Sequence, residues 1–192
     1  MDESRALLEL LWMLVAAPRT GVMMALLVMA ALSDLRHYRI PNWLTVGGAA
    51  FALGHALLAP YPVGIGAAAL GLLAGLLLTL PLYAVRIMGG GDVKLIAMNG
   101  AFLGFPDMLG ALLASLIVGG VAALVYALSR RMLRDMFSNI GRMLQWMALS
   151  AMAGGRPAAD PAGFTSVGRL PFGVSIAVGT TAWLVGTQLG YL

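Results

Sequence analysis

Long apolar stretches separated by short polar segments dominate this sequence. A helix that crosses a membrane needs about 20 mostly apolar residues. Six stretches approach that length, at 20–35, 42–59, 63–85, 92–105, 108–128 and 170–191. The pattern predicts an all-α fold, a polytopic membrane helix bundle with six transmembrane helices. We expect residues 1–192 to form a single membrane domain.

The segment 129–169, between the fifth and sixth stretches, has a different pattern. Apolar residues recur there at helical spacing, at Leu133, Met136, Phe137, Ile140, Met143, Leu144 and Met147. Polar residues fill the other face, at Arg131, Arg134, Asp135, Asn139, Arg142 and Gln145. This predicts a basic amphipathic helix in a cytoplasmic loop, which either lies on an anionic membrane surface or covers the bundle.

Residues 1–19 precede the first stretch and contain an apolar run over 6–17. A signal peptide begins with positive charge, whereas this run follows Asp2 and Glu3 and contains Glu9. We therefore expect an interfacial helix that leads into the first transmembrane helix, rather than a cleaved signal.

Two further patterns concern the packing of the helices. The third stretch contains Gly64, Gly71 and Gly75 among several alanines. Small residues at such spacing let neighbouring helices approach closely. Asn99 lies within the fourth stretch, where we expect it to hydrogen-bond to another helix.

The composition supports a membrane location and removes several kinds of chemistry. Hydrophobic residues make up 60% of the chain and charged residues 10%, whereas soluble domains carry about 25% charged residues. The chain has no Cys, which excludes disulfides, thiol nucleophiles and Cys-ligated metals. We expect no metal and no other cofactor. The net charge of +4 is explained by membrane topology, so we expect no nucleic-acid partner.

The basic residues predict which helix ends face the cytoplasm. Ten of the twelve Lys and Arg residues lie in or beside three segments, 36–39, 86–94 and 130–169. The turns around 59–63 and 104–107 contain none. Under the positive-inside rule the three basic segments are cytoplasmic, and both termini lie on the other side.

Two aspartates lie at the cytoplasmic ends of their predicted helices. Asp34 ends the first stretch, and Asp92 follows three glycines at 89–91. On position alone, Asp34 fits an interfacial carboxylate paired with Arg, and Asp92 fits a helix N-cap. A cap does not explain three successive glycines, which would also let an extended peptide lie close to the backbone.

The predicted topology puts both aspartates at a similar depth. Two close carboxylates in a partly dry site share a proton, so one can act as a base toward water and the other as an acid. This is the aspartic-protease arrangement. The residues alone leave three functions open: a peptidase, a small proton- or cation-coupled transporter subunit that uses Asp34 and Asp92, and a structural component of a secretion or pilus machine.

Three motifs around these residues resemble one family. Residues 89–95 read GGGDVKL and contain the GxGD motif of intramembrane aspartic proteases. Residues 33–42 read SDLRHYRIPN, and residues 169–173 read RLPFG. In this order, the three motifs resemble the type IV prepilin peptidase family over about residues 20–192.

The resemblance implies an aspartic endopeptidase that removes the basic leader from prepilins or pseudopilins after a Gly. It implies a multi-pass protein of the bacterial inner membrane with its active site facing the cytoplasm. It also implies a catalytic pair, Asp34 and Asp92, and substrate-binding or supporting positions at Gly89, Gly91, Lys94, Asn42 and Pro171.

The chain departs from the large members of that family. Those members have a cytoplasmic region with paired Cys motifs and also methylate the new N-terminus, whereas this chain has no Cys. The short form resembles the enzymes of Tad-type (Flp) pilus systems, so we expect peptidase activity without N-methylation. The expected partners are Flp-like prepilins and membrane lipid, and the sequence leaves the oligomeric state open.

Overall fold

The computed structural model describes residues 18–59, 63–84, 87–152 and 170–190, and all regular structure in these ranges is helical. Its helices are α1 (Pro18–His37), α2 (Asn42–Leu58), α3 (Ile65–Ala84), α4 (Gly90–Leu103), α5 (Asp107–Ser129), α6 (Leu133–Met152) and α7 (Phe172–Gln188). The predicted all-α fold is confirmed. Each predicted apolar stretch corresponds to a helix whose ends lie within three residues of the predicted ends.

Three of these helices are long and apolar enough to cross a membrane. They are α1, α3 and α5, with 20, 20 and 23 residues and mean hydropathies of 1.3, 2.1 and 2.4. By contrast, α2 and α7 each have 17 residues and α4 has 14. The rise of an α-helix makes α4 about 21 Å long, less than the roughly 30 Å of a bilayer's hydrocarbon core. The apolar helices indicate a membrane protein, and the count of six crossings stays a prediction.

The chain divides into two compact units, residues 1–119 with 171–192, and residues 120–170. In the first unit α4 is the central helix, because it contacts α1, α2, α3 and α7. From Val93 to Leu103, every residue of α4 except Lys94 is buried. A helix that is surrounded by protein does not have to match the thickness of the lipid, which accounts for the short length of α4.

Glycines of α3 let α4 approach closely, as the sequence predicts. A Cβ on Gly71 would collide with the backbone of Gly100, and a Cβ on Gly75 would lie 3.0 Å from the Cα of Ala97. The two backbones therefore touch at positions where larger residues would separate them.

The second unit, residues 120–170, contains the end of α5 and all of α6. The predicted amphipathic helix is present as α6. On its apolar face Phe137 and Ile140 are 62% and 42% exposed, and Arg134 on the polar face is exposed as well. The rest of the predicted loop, residues 153–169, lies outside the described residues.

The structure covers only the end of the predicted N-terminal segment. The predicted interfacial helix falls on residues 1–17, which lie outside the described residues. Since α1 begins at Pro18, Arg19 lies in its first turn instead of preceding the first helix. Arg19 is also buried, with 6% of its surface exposed.

Candidate active site

Asp34 lies in the last turn of α1 and is buried, with 6% of its surface exposed. Its Oδ2 accepts a hydrogen bond of 2.7 Å from the backbone N–H of Gly173. Gly173 is the second residue of α7, and the N-cap residue of that helix, Pro171, makes no side-chain cap hydrogen bond. Asp34 therefore caps α7 from another helix, where free N–H groups and their partial positive charge stabilise a carboxylate.

The lack of a side chain at Gly173 makes this contact possible. A Cβ on Gly173 would lie 2.9 Å from Oδ2 and 3.1 Å from the Cβ of Asp34. The resemblance implies only Pro171 of the RLPFG motif as a site position, and the structure adds Gly173. The available signal was a glycine in the first turn of an apolar helix, where glycine is a poor helix former and calls for a reason.

Asp92 lies in the first turn of α4, at the third helical position. Its Oδ2 accepts a hydrogen bond of 3.2 Å from the backbone N–H of Gly89, the N-cap residue. The sequence suggests Asp92 itself as the N-cap, whereas α4 begins two residues earlier, at Gly90. The carboxylate still satisfies a main-chain donor at the start of the helix, by reaching back to the N-cap in the manner of a capping box.

The structure brings the two aspartates together. Helices α1 and α4 are in contact, and the negative charges of Asp34 and Asp92 act on one another. Each carboxylate is also held by an N–H group at the start of a helix. Two carboxylates in this arrangement can hold one proton between them, which provides an acid and a base side by side.

Gly91 allows the loop after α1 to pack beside this pair. A Cβ on Gly91 would lie 3.2 Å from the Cβ of Ile40, which is closer than most such contacts. Gly89 is exposed, and Gly90 and Gly91 are partly exposed. The backbone at 89–91 therefore presents an edge without side chains next to Asp92.

Lys94 and Asn42, two of the implied supporting residues, contact each other. Lys94 Nζ donates a hydrogen bond of 2.9 Å to Asn42 Oδ1. Asn42 is the first residue of α2, so the bond connects the beginning of α2 to the beginning of α4. Both side chains are exposed.

A second polar cluster lies deeper in the first unit. Asn99 follows Asp92 by seven residues and Thr180 follows Gly173 by seven, so each lies about 10 Å further along the same face of its helix. Asn99 Nδ2 donates to Thr180 Oγ1 at 3.0 Å, which confirms the predicted hydrogen bond between helices. Asn99, Ser115 and Thr180 line a cavity of about 10 Å³, close to the space that one water needs.

Within the described residues, no group of three or more His, Asp or Glu side chains could hold a metal ion.

Residues 21–124 match the type IV leader peptidase family. The matched region contains Asp34 and Asp92 and ends before α7, so it excludes Pro171 and Gly173. No curated protein and no solved structure matches the chain. The match spans more than half of the chain and confirms the family predicted from the three motifs: the chain belongs to the type IV leader peptidase family.

Proposed function

We propose that the protein is a membrane-embedded aspartic endopeptidase that removes the basic leader from Flp-like type IV prepilins. Cleavage follows a Gly at the cytoplasmic face of the bacterial inner membrane, and the new N-terminus is not methylated. Membership of the type IV leader peptidase family supports a prepilin-type substrate.

The observation that carries the proposal is that two helices in contact, α1 and α4, each carry a carboxylate that accepts a main-chain N–H at the start of a helix. A single buried carboxylate at a helix start is explained by capping alone. A second carboxylate beside it adds repulsion, and like charges held close together are concentrated at functional sites. The exposed backbone edge at 89–91 then offers a place where the extended cleavage junction can lie within reach of the pair.

In the proposed reaction the pair holds one proton. The unprotonated carboxylate takes a proton from water, whose oxygen bonds to the carbonyl carbon of the Gly before the scissile bond. The protonated carboxyl donates its proton to the carbonyl oxygen. The C–N bond of the resulting tetrahedral intermediate then breaks. The proton taken from water passes to the departing nitrogen, and the other carboxylate recovers a hydroxyl proton, which restores the starting state.

The test is co-expression with a tagged Flp-type prepilin in a host that lacks prepilin peptidase. Gel mobility and N-terminal sequencing would report cleavage after the leader Gly. Asp34→Asn and Asp92→Asn should each lower the cleavage rate by at least about a hundredfold, because each removes an acid–base group. Asp107→Asn is the matched control, since Asp107 is an exposed residue in the first turn of α5.

The possible outcomes separate the functions. Loss of cleavage in both variants, with Asp107→Asn active and all proteins folded, supports the aspartic pair. Cleavage that survives Asp34→Asn or Asp92→Asn removes that residue from the pair. A folded wild type that cleaves none of several prepilins argues for the transporter hypothesis, which predicts proton or cation uptake in vesicles that depends on the same aspartates.

The shared proton also predicts a pH dependence. At low pH both carboxyls are protonated and no base remains, and at high pH both are ionised and no acid remains. The rate should therefore be bell-shaped in pH. The measurement is kcat/KM across pH on purified protein in lipid, and a single titration step would argue against a shared proton.

The absence of methylation has a separate readout. Mass spectrometry of the processed pilin should give the mass of an unmodified N-terminus when S-adenosylmethionine is present. A mass increase of one methyl group that depends on this protein would contradict this part of the proposal and leave the peptidase part intact.

We assign the basic segments to the cytoplasmic side and α6 to the surface of an anionic leaflet. The exposed apolar side chains of Phe137 and Ile140 and the exposed Arg130, Arg131 and Arg134 support contact with anionic lipid. In nanodiscs, anionic lipid should raise the cleavage rate of the wild type, and Phe137→Ser should reduce that gain. An equal rate in neutral lipid would contradict the lipid assignment.

A further inference from the structure

Arg19 is a buried cation in the first turn of α1, whereas Asp34 lies in the last turn of the same helix. Its guanidinium donates three hydrogen bonds to main-chain carbonyls, and a different nitrogen makes each of them. Nε bonds to Phe102 O at 2.9 Å, Nη2 to Ala101 O at 2.8 Å and Nη1 to Val63 O at 3.2 Å. Neither the resemblance nor the matched region, which begins at residue 21, includes this residue.

Two of the acceptors lie in the last turn of α4, which ends at Leu103. The last carbonyls of a helix lack partners within the helix and carry partial negative charge, so they favour a cation. Arg19 therefore satisfies the end of α4 in the way that a C-terminal Lys or Arg of the same helix would. Because it does so from α1, the contact joins the two helices that carry the aspartates.

The distances along α1 and α4 show how this contact restricts the position of one helix along the other. Asp34 lies 15 residues beyond Arg19, or about 22 Å along α1, and Phe102 lies ten residues beyond Asp92, or about 15 Å along α4. The difference between the two lengths is about 7 Å, which the long side chain of Arg19 is able to span. A guanidinium that holds the end of α4 therefore restricts how far α1 can slide along α4, and so restricts the position of Asp34 relative to Asp92.

We propose that Arg19 is a positioning residue, which sets the register of α1 against α4 and so keeps Asp34 level with Asp92. The proposal rests on the proposed function of the aspartic pair. A register error of about 1 Å between reacting groups can lower a rate about a hundredfold. A guanidinium far from the reaction can therefore control the rate without touching the substrate.

Arg19→Lys and Arg19→Gln separate charge from geometry. Lys keeps the charge but lacks the planar fork that reaches three carbonyls through three nitrogens. Gln removes the charge and shortens the side chain. Met108→Ala is the matched control, because Met108 is buried at the same end of the bundle, in the first turn of α5, and its loss lowers stability without breaking the contact between α1 and α4.

The register can be measured without relying on activity. The chain has no Cys, so spin labels can be placed at Leu35→Cys and Ile87→Cys. Both positions are exposed; Leu35 follows Asp34 in α1, and Ile87 lies three residues before the start of α4. The interspin distance distribution should shift or broaden in Arg19→Gln and Arg19→Lys, and should stay unchanged in Met108→Ala. In parallel, kcat of both Arg19 variants, measured without labels, should fall by about tenfold or more while KM changes little.

Each outcome decides the proposal. A changed distance with reduced kcat supports it. A changed distance in a protein whose wild type cleaves no prepilin supports the role of Arg19 in register and contradicts the proposed function. An unchanged distance, with a kcat no lower than that of Met108→Ala, overturns the proposal. If Arg19→Gln does not fold, Arg19→Lys decides between these outcomes alone.

Discussion

The two ends of the α1–α4 pair hold charge in opposite ways. At the site end, defined by Asp34 and Asp92, carboxylates accept main-chain N–H bonds at the starts of α7 and α4. At the far end, defined by Arg19 and Phe102, a guanidinium donates to main-chain carbonyls at the end of α4. Each charge thus complements the partial charge of the helix end that it meets.

The ends differ in how fully their charges are satisfied. Arg19 uses all three of its guanidinium nitrogens on carbonyl oxygens. The site end holds two carboxylates, and each accepts one main-chain N–H bond. At the far end, the three hydrogen bonds of Arg19 hold α1 against α4. At the site end, the carboxylates of Asp34 and Asp92 are groups that can exchange a proton. One pair of helices can thus be fixed by a fully paired guanidinium at one end and carry groups suited to proton exchange at the other.

Gly173→Ala is expected to have the largest effect among the variants that keep both aspartates and Arg19. The added Cβ would lie 2.9 Å from Asp34 Oδ2 and would push the carboxylate away from the α7 N–H groups. A displacement of about 1 Å predicts a loss of about a hundredfold in kcat. Kinetics of purified protein on a prepilin substrate would measure it.

Gly47→Ala is the matched control for that variant. Gly47 also lies in a helix, and a Cβ there would meet nothing within 4 Å. Replacement by Ala should leave cleavage unchanged and raise stability by about 0.5–1 kcal/mol, because Ala is the better helix former. If Gly173→Ala cleaves as well as Gly47→Ala, the close approach of Asp34 to α7 is not needed for catalysis, and the site end loses one of its two anchors.

The sequence predicts the helices well because their signal is local. Apolar runs and helical spacing define each helix to within three residues, and they also reveal α6. The same pattern does not reveal how many helices cross the membrane, since the short α4 is explained by its burial among α1, α2, α3 and α7. That burial depends on packing between distant segments.

The site is predicted only where its residues share a motif. Asp34 and Asp92 are predicted from the chemistry of two carboxylates at matching depth and from the family motifs, and their catalytic role stays a prediction. Gly173 and Arg19 are not found, because their partners are distant along the chain: Gly173 contacts a residue 139 positions away, and Arg19 contacts residues 82 and 83 positions away. In the sequence, Arg19 stands beside the start of an apolar stretch, which is typical of a charged loop residue. Only the fold shows that this side chain is buried.

A polar cluster around Asn99 lies between the site end and the far end. Asn99 is buried and bonds to Thr180, and it lies about 10 Å along α4 from Asp92. Asn99→Leu should therefore destabilise the protein by about 1 kcal/mol, the scale of a hydrogen bond between membrane helices, and leave kcat unchanged. Thermal unfolding of the single variants and of Asn99→Leu combined with Thr180→Val would measure the coupling. A fall in kcat at equal stability would extend the reactive region into the middle of the bundle.

The contact between Lys94 and Asn42 should affect cleavage much less than Gly173 does, although Lys94 is only two residues from Asp92 along the chain. Both side chains are exposed, and an exposed polar contact contributes no more than about 1 kcal/mol because water competes for both groups. Asn42→Ala and Lys94→Met should each lower kcat/KM by about twofold to fivefold, the kinetic equivalent of that energy. A double-mutant cycle would show whether the two losses come from one contact. A loss near that of Gly173→Ala would mean that one of these groups acts on the substrate directly, and that closeness to the reacting groups outweighs burial at the site end.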